Sequence, residues 1–183
     1  MARVFVITGP SGVGKGTLIR SLLERIPELQ LAVSATTREP RPGERDGVDY
    51  HFLSDADFDR RVLEGDFLEH ADYSGRRYGT LRSELERRLA DGASVVLEIE
   101  VQGARQVKEK MPEAKRIFIA PPSEEALRTR LVGRGTDDEA QRERRLATAK
   151  SELAAKDEFD IVVINDRLDD AADELERIVR AAL

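Results

Sequence analysis

The stretch from Val4 to Thr17, VFVITGPSGVGKGT, decides the fold of this chain. It opens with apolar residues at consecutive positions, which is typical of a strand covered on both faces in a parallel sheet. Glycines then surround Lys15, and a helical apolar pattern follows directly. A glycine-rich turn between a strand and a helix points backbone N–H groups at phosphate oxygens, and the helix N-terminus and the lysine add positive charge. The stretch therefore predicts a phosphate-binding loop for a nucleotide.

One position departs from the usual form of this loop. Ser or Thr normally follows the lysine and holds Mg²⁺, whereas here Gly16 follows Lys15 and the hydroxyl comes at Thr17. The backbone cradle survives this change, so we still expect phosphate binding. Mg²⁺ is then expected to rest mainly on phosphates, water and carboxylates elsewhere in the chain.

The pattern of strands and helices continues beyond the loop. Two further apolar runs, at Ile117 to Ala120 and Ile161 to Ile164, predict buried strands of the same type. Helical stripes of apolar residues lie at 18–26, where Pro27 ends the pattern, at 81–89 and at 168–179. Strands that alternate with helices in this way favour the α/β class with a doubly wound parallel sheet.

Composition narrows the class of protein further. The chain has 183 residues, about one domain, and its 30 basic and 36 acidic side chains give a net charge of −6. This charge predicts no attraction to nucleic acid, and the absence of cysteine excludes disulfides, thiolate metal sites and cysteine nucleophiles. Because the N-terminus reaches glycine after a short apolar run, it predicts neither a signal peptide nor a membrane span. We expect a cytoplasmic protein that binds neither nucleic acid nor membranes.

Two segments interrupt the alternation of strands and helices. The first, from Thr36 to Asp49, is polar, and a loop of this length in a compact domain is usually functional or disordered. A strand-like tetrapeptide, a helix opened by Ser54 and a second strand-like tetrapeptide ending at His70 follow it, which predicts a small subdomain inserted into the sheet. The second segment, from Arg128 to Arg145, carries six arginines around Gly133-Arg-Gly, and we expect a hinge or tip between two helices there.

Acidic and apolar residues alternate at 94–101, SVVLEIEV. Along one strand, this alternation places Glu98 and Glu100 on the same face near the carboxyl end, where open α/β sheets bind ligands. An edge strand with a solvated polar face is the alternative. Next to a phosphate loop we favour the functional interpretation.

Arginines are the second set of candidates for phosphate binding. Arg38 and Arg41 lie in the polar loop, and Arg134 and Arg145 lie in the arginine-rich segment. A planar guanidinium pairs well with phosphate oxygens, and an acidic protein that binds anions must concentrate positive charge locally. The alternative for each arginine is a solvated surface charge.

Blocks of sequence in order along the chain resemble those of guanylate kinases. They are Gly9–Thr17, Ser34–Glu44 (SATTREPRPGE), Gly47–Phe52 (GVDYHF), Tyr78–Thr80 (YGT), Glu98–Gly103 (EIEVQG), Arg134–Asp137 (RGTD) and Asn165–Asp166. The second and third blocks are specific to guanylate kinases. The resemblance implies a P-loop nucleoside monophosphate kinase fold, in which a parallel sheet flanked by helices carries an inserted GMP-binding subdomain and a lid. The implied ranges are a core of 1–33, 81–122 and 156–183, a GMP-binding insertion of 34–80 and a lid of 123–155.

The resemblance also implies an activity and its partners. The chain would transfer the γ-phosphoryl group of ATP to GMP, and to dGMP, giving ADP and GDP in purine nucleotide metabolism. Mg²⁺ would enter as the ATP–Mg complex. The partners would be small-molecule nucleotides, and the chain would be a monomer or a small homo-oligomer.

Site residues follow from the resemblance block by block. The implied ATP-binding residues are Gly9, Pro10, Ser11, Gly12, Val13, Gly14, Lys15, Gly16, Thr17 and, near adenine, Asn165. The GMP phosphate would be held by Arg38, Arg41, Tyr50 and Tyr78, and guanine by Ser34, Glu69 and Thr80. Lys15, Arg134 and Arg145 are the implied catalytic residues, with the two arginines closing as a lid. Glu100 lies where the family has a carboxylate near guanine, often Asp, and Glu98 and Glu100 are candidates to orient the waters of Mg²⁺.

Elementary chemistry agrees with this assignment. A phosphate monoester has a second pKa of about 6, so the attacking oxygen of GMP is mostly deprotonated at neutral pH and needs no general base. Catalysis then depends on in-line positioning and on neutralising charge at the transferred group. A carboxylate such as Glu69 can accept both N1–H and the exocyclic amine of guanine, whereas adenine would leave it unpaired, and such sites discriminate by roughly 10⁴-fold.

Three other functions compete with this hypothesis. A non-catalytic, guanylate-kinase-like scaffold module tends to lack phosphate-loop residues, and these are present here. A GTPase switch would need an N-K-x-D motif, which the chain lacks, although Asp72-Tyr-Ser-Gly has the form D-x-x-G. Another nucleoside monophosphate kinase is the nearest enzymatic alternative, and Ser34 together with Glu69 argues against it.

Overall fold

The computed structural model describes residues 3–132 and 139–183, apart from the side chains of residues 132 and 139–142. The strands are β1 Val4–Thr8, β2 Leu29–Leu31, β3 Ala35–Thr36, β4 His51–Phe52, β5 Phe67–Tyr73, β6 Arg76–Leu81, β7 Ser94–Glu98, β8 Lys115–Ala120 and β9 Ile161–Ile164. The helices are α1 Lys15–Arg25, α2 Asp55–Glu64, α3 Arg82–Ala90, α4 Val101–Lys110, α5 Glu124–Val132, α6 Glu139–Ala154 and α7 Leu168–Ala182. A 3₁₀ turn, Lys156–Glu158, follows α6.

A five-stranded parallel sheet in the order β2-β7-β1-β8-β9 carries the main core. The side chains of β1 alternate between its faces, so that Phe5 and Ile7 pack with α1 and α7, whereas Val4 and Val6 pack with α3 and α4. Helices on both faces confirm the doubly wound α/β fold that the apolar runs and stripes predicted. Because all the strands are parallel, their carboxyl ends lie at one edge, where such sheets bind ligands.

A second sheet of four strands, in the order β4-β3-β6-β5, lies within residues 35–81. The side chain of Ser54 caps α2 by accepting the N–H of Asp57, and the ring of Phe58 stacks on Phe67 with centroids 4.5 Å apart. Phe58 and Phe67 belong to a separate small apolar core. The unit expected after the polar loop is therefore a sheet with its own core. The exact ranges proposed for the insertion and the lid stay predictions.

Three expectations about individual elements are wrong. The alternation at 94–101 does not follow one strand, because β7 ends at Glu98 and Val101 begins α4. The alternative of an edge strand is also wrong, because β7 lies between β2 and β1. The run at Ile161–Ile164 is not buried throughout as expected: β9 is the last strand of the sheet, Ile161 and Val162 are half-buried, and Ile164 is 56% exposed. Leu81 ends β6 instead of belonging to the helix that follows it.

Helices α5 and α6 flank residues 133–138, which lie outside the described residues. The hinge or tip expected at Gly133-Arg-Gly therefore stays a prediction. Among the described helices, none has a stretch long and apolar enough to cross a membrane.

Candidate functional site

The glycine-rich loop follows the carboxyl end of β1, the central strand, and leads into α1. Gly14 adopts a left-handed φ of 97°, and a Cβ at this position would lie 2.6 Å from Nδ2 of Asn165. The ammonium group of Lys15 donates a hydrogen bond to the carbonyl of Gly9. Helix α1 has no side-chain cap and no acidic residue in its first turn. Nothing in that turn therefore offsets the partial positive charge that a helix N-terminus offers to an anion.

Asn165 holds the loop from the end of β9. Its backbone N–H donates to the carbonyl of Ala120 at 2.8 Å, and its Nδ2 donates to the carbonyl of Val13 at 2.8 Å. The residue is only 5% exposed. The resemblance implied a place near adenine for Asn165, and the structure shows that its amide binds the loop backbone. Asn165 is therefore a residue that fixes the shape of the phosphate-binding loop.

A cavity of about 280 Å³, called the central cavity below, joins the loop to the second sheet. Seven residues singled out from the sequence line it: Lys15, Ser34, Tyr50, Glu69, Tyr78, Glu98 and Glu100. A larger cavity, of about 900 Å³, lies between α5 and α6, but none of these seven residues lines it. We regard the central cavity as the candidate site, because the loop lysine and the candidate base-binding residues share it.

Glu69 is the most deeply buried acid of the central cavity, with 3% of its surface exposed. Burial raises the pKa of Glu69 to about 7, while the hydrogen bond from Thr80 and the charge of Lys110 oppose that shift. The hydroxyl of Thr80 donates to Oε1 of Glu69 at 2.7 Å. The cavity therefore contains a carboxyl group of fixed orientation that is about half protonated near neutral pH.

The candidate residues for the acceptor phosphate lie in the polar loop and in the strands next to it. The rings of Tyr50 and Tyr78 meet edge to face at 6.2 Å, and the Arg38 guanidinium lies 5.2 Å from the Tyr50 ring. Arg38 donates to both carboxylate oxygens of Glu44, at 2.8 and 2.9 Å, and this contact lowers the pKa of Glu44. Arg41 contacts Glu44 through its backbone N–H, but the residue is exposed and does not line the central cavity. The structure thus brings both tyrosines to the cavity, places Arg38 against one of them and leaves Arg41 outside.

Glu98 and Glu100 reach the central cavity in a different way from the one predicted. Glu98 is the last residue of β7 and Glu100 immediately precedes α4, so the two do not share the face of one strand. Both nevertheless line the cavity together with Lys15. Glu98 is exposed, but the surrounding protein atoms displace part of its water and so raise its pKa, a shift that the positive charge of Lys15 opposes. The two carboxylates therefore lie where they can act with the loop lysine.

Two residues of the site were missed by the sequence analysis. Glu152 of α6 is 8% exposed, accepts the N–H of Ser11 and lies next to Glu100; burial and this neighbouring acid raise the pKa of Glu152 to about 8. Tyr73 ends β5 and hydrogen-bonds with the side chain of Ser11, and burial raises the pKa of Tyr73 to about 12. Glu152 follows the buried Ala149 by three residues, so helical spacing could have indicated it. No comparable signal marks Tyr73.

The remaining candidates are Arg134, Arg145 and Thr17. Arg145 is exposed on α6 and lines a cavity of about 720 Å³ together with Ser11 and Tyr73. Arg134 lies outside the described residues. Thr17 is exposed on α1 and does not line the central cavity. One of the two expected lid arginines therefore borders the phosphate-binding loop.

Comparisons with known proteins point to one family. The sequence model of the guanylate kinase family matches residues 1–182. The guanylate kinase of Thermobifida fusca is 51% identical over 98% of this chain and 91% of its own length, and that of Rubrobacter xylanophilus is 53% identical over 97% of this chain and 93% of its own length. The crystal structure of guanylate kinase from Anaplasma phagocytophilum, 35% identical, covers 99% of this chain and 86% of its own with a TM-score of 0.80.

Proposed function

This chain belongs to the guanylate kinase family, and we propose that it carries out that family's reaction at the central cavity. The reaction transfers the γ-phosphoryl group of ATP to GMP and gives ADP and GDP. The observation that carries the proposal is that Lys15 of the phosphate-binding loop and the buried carboxyl of Glu69 line the same cavity. A donor triphosphate on the loop and an acceptor base on Glu69 would share one space, as direct transfer requires.

Glu69 supports guanine as the base of the acceptor. Guanine presents N1–H and an exocyclic amine side by side, and the two oxygens of one carboxylate can accept both. Adenine has an acceptor at N1 and no amine at C2, so it would leave a carboxylate that is 3% exposed without partners. These contacts do not involve the ribose, so we propose that dGMP is also an acceptor.

Tyr50 and Tyr78 are proposed to hold the acceptor phosphate, assisted by Arg38. Their phenol groups can donate hydrogen bonds to phosphate oxygens. Because Arg38 is paired with Glu44 in this structure, a phosphate would compete with that carboxylate for the guanidinium. Arg41 would have to swing its exposed side chain toward the cavity to take part.

Mg²⁺ fits the central cavity as a companion of the nucleotide. Glu98 and Glu100 line the cavity together with Lys15 and supply the carboxylate oxygens that Mg²⁺ prefers, and the side chain of Glu100 also hydrogen-bonds with Glu152. Within residues 3–132 and 139–183, no group of three or more His, Cys, Asp or Glu side chains is arranged to hold a metal ion. We therefore propose that Glu98 and Glu100 orient the waters of an ATP–Mg complex. The ion would neutralise charge on the β- and γ-phosphates.

Catalysis is proposed to rest on positioning and charge. The loop N–H groups and the N-terminus of α1 would hold the donor phosphates, and Lys15 would leave the Gly9 carbonyl to contact the transferred group. Arg145, together with Arg134 from the residues that are not described, would add positive charge on closure and exclude water. The attacking phosphate oxygen of GMP is already mostly ionised at neutral pH, so these residues need not remove a proton.

A coupled assay of ADP release with ATP–Mg and each of GMP, AMP, CMP and UMP tests the proposal. We expect release with GMP alone, whereas release without any acceptor would indicate an ATPase and contradict the proposal.

Glu69→Gln should lower GMP turnover by roughly 10³- to 10⁴-fold and leave ATP binding in isothermal titration unchanged. Glu86→Gln, at an exposed position of α3, is the matched control and should behave like the unmodified protein. Equal losses of GMP and ATP binding in Glu69→Gln would contradict the assignment of Glu69.

We further propose that the chain acts in the cytoplasm as a monomer or a small homo-oligomer, as expected from the sequence. Light scattering coupled to size-exclusion chromatography measures the oligomeric state directly. A large, stable assembly would contradict this part of the proposal.

A further inference from the structure

One face of α4 lies against the part of β5 that carries Glu69. The side-chain amide of Gln106 binds both backbone groups of His70, accepting its N–H at 3.1 Å and donating to its carbonyl at 2.6 Å. The ammonium of Lys110 donates to the carbonyl of Leu68 at 2.6 Å. The helix therefore holds the backbone immediately before and immediately after Glu69.

Gly103 lies on the same helix face, because Gln106 and Lys110 follow it by three and by seven positions. A Cβ at Gly103 would lie 2.2 Å from Oε2 of Glu69 and 3.0 Å from its Cδ. The Glu69 carboxyl therefore occupies the space that any side chain at position 103 would need.

The helix itself gives no reason for glycine at this position. Gly103 is buried within α4, outside the set of glycines with positive φ, and glycine in a helix interior is destabilising relative to alanine. The contact with Glu69 is the feature of the structure that accounts for it. Because the obstructing atoms belong to the end of a flexible side chain, the fold can accept a methyl group here, whereas the carboxyl group cannot keep its position.

A bulge in β5 fixes the backbone of the strand that carries Glu69. The pairing with β6 shifts register between Phe67 and Glu69, which leaves Leu68 as the extra residue. Leu68 is 2% exposed and packs in the core cluster of the main sheet, and its carbonyl is the one bound by Lys110. Glu69, the next residue, pairs with Thr80, whose hydroxyl holds Oε1. The backbone on both sides of Glu69 is thus anchored, and its carboxyl is held between Thr80 and α4.

We propose that Gly103 is a positioning residue for acceptor selection, which leaves room on α4 for the Glu69 carboxyl to stay aligned with the base of the acceptor. Gln106 and Lys110 support this role by fixing β5 on the same helix face. The inference rests on the proposed function, since it concerns the acceptor site of that reaction. It adds that the selectivity of Glu69 depends on a residue that need not touch the nucleotide.

Gly103→Ala tests the inference directly. The added methyl should displace the Glu69 carboxyl by about an ångström, and misplacement on that scale lowers kcat/KM for GMP by about 10²-fold. The Kd of ATP in isothermal titration should not change, and the Tm should stay equal or rise, since alanine favours the helix. Lys108→Ala, at an exposed position of the same helix, is the matched control. GMP kinetics of Gly103→Ala equal to those of the unmodified protein would overturn the inference, and so would parallel losses of GMP and ATP binding.

Shortening the carboxylate side chain separates positioning from a general structural effect. Glu69→Asp withdraws the carboxyl from Gly103, so adding Gly103→Ala to this variant should lower kcat/KM for GMP by less than threefold. A 10²-fold loss in both backgrounds would show that the methyl group acts elsewhere, and it would overturn the inference.

Should Gly103→Ala fail to fold, Gln106→Ala tests the same helix face without adding an atom. A higher KM for GMP with unchanged ATP binding supports the inference, and unchanged GMP kinetics contradict it. In every case GMP-dependent ADP release by the unmodified protein tests the proposed function separately.

Discussion

Binding of the acceptor should release a proton from Glu69. Burial raises the pKa of this carboxyl to about 7, so a large fraction is protonated near neutral pH before the nucleotide binds. The N1–H and amine of guanine donate to the ionised form and therefore stabilise it. GMP that binds through these donors must shift the carboxyl toward ionisation, and the displaced proton goes to the buffer.

The size of the effect follows from the pKa. With a pKa of about 7, the free carboxyl holds about 0.9 proton at pH 6, about 0.5 at pH 7 and about 0.1 at pH 8, and these are the amounts that ionisation of Glu69 should contribute to the release on binding. The apparent affinity for GMP should accordingly rise by about tenfold between pH 6 and pH 8. The GMP phosphate, with a second pKa of about 6, should add a factor of about two over the same range.

Isothermal titration in two buffers that differ in ionisation enthalpy and are not phosphate, such as PIPES and ACES, measures the released proton. Guanosine in place of GMP removes the phosphate titration and isolates the carboxyl. Thr80→Val is the informative variant, because losing the hydroxyl donor removes a contact that lowers the pKa of Glu69. Its proton release should extend to higher pH.

Proton release close to zero when guanosine binds, at both pH 6 and pH 7, would refute this reasoning. That result would mean either that Glu69 is ionised before binding or that guanine does not contact it. Unchanged pH dependence in Thr80→Val would contradict the role given to the hydroxyl.

Two further predictions concern the other side of the cavity. The pKa of Glu152, raised to about 8 in the folded state, lies above its ordinary value of 4.5, so the folded state binds more protons between these pH values and stability should fall as pH rises through that window. Urea denaturation should show that the free energy of unfolding of Glu152→Gln falls less over this pH window than that of the unmodified protein. An equal dependence on pH in the two proteins would contradict the assignment. Gly14→Ala should cost at least about 1 kcal/mol of stability and weaken ATP binding, because φ is 97° and the new Cβ would meet Asn165; thermal unfolding and ATP titration measure both. Normal ATP affinity in that variant would contradict the role given to the loop shape.

The phosphate-binding loop was predictable because its determinants are local. The strand, the turn and the helix that form it lie within Val4 to Arg25, and each follows from consecutive residues. The buried strands β1 and β8 were predictable for the same reason. The exposed position of β9 at the edge of the sheet was not predictable, because a short apolar run occurs in central strands and in edge strands alike. The order of strands depends on pairings between distant segments of the chain.

The end of β7 shows how two periodicities can compete. Glu98 and Glu100 fit an alternating strand, but Val101, Ala104 and Val107 are spaced by three, and all three are buried on α4. The helical spacing prevails because these side chains pack into the core, and the strand ends at Glu98. The two acids still reach one cavity, since a strand end and the helix that follows it meet at the carboxyl edge of the sheet.

The ionisation of Glu69 could not be predicted, although the residue itself was. Its carboxyl lies between Thr80 and Gly103, which come from separate segments of the chain, and only the folded arrangement removes it from water. A buried carboxylate normally needs a cation paired with it. Lys110 is the nearby candidate, but its ammonium is bound to the carbonyl of Leu68 and acts on Glu69 only through its charge. The fold therefore accommodates the buried acid by raising its pKa instead of pairing it. Because no arginine or lysine occupies the lone pairs of this carboxyl among the described contacts, they stay available for the donors of guanine.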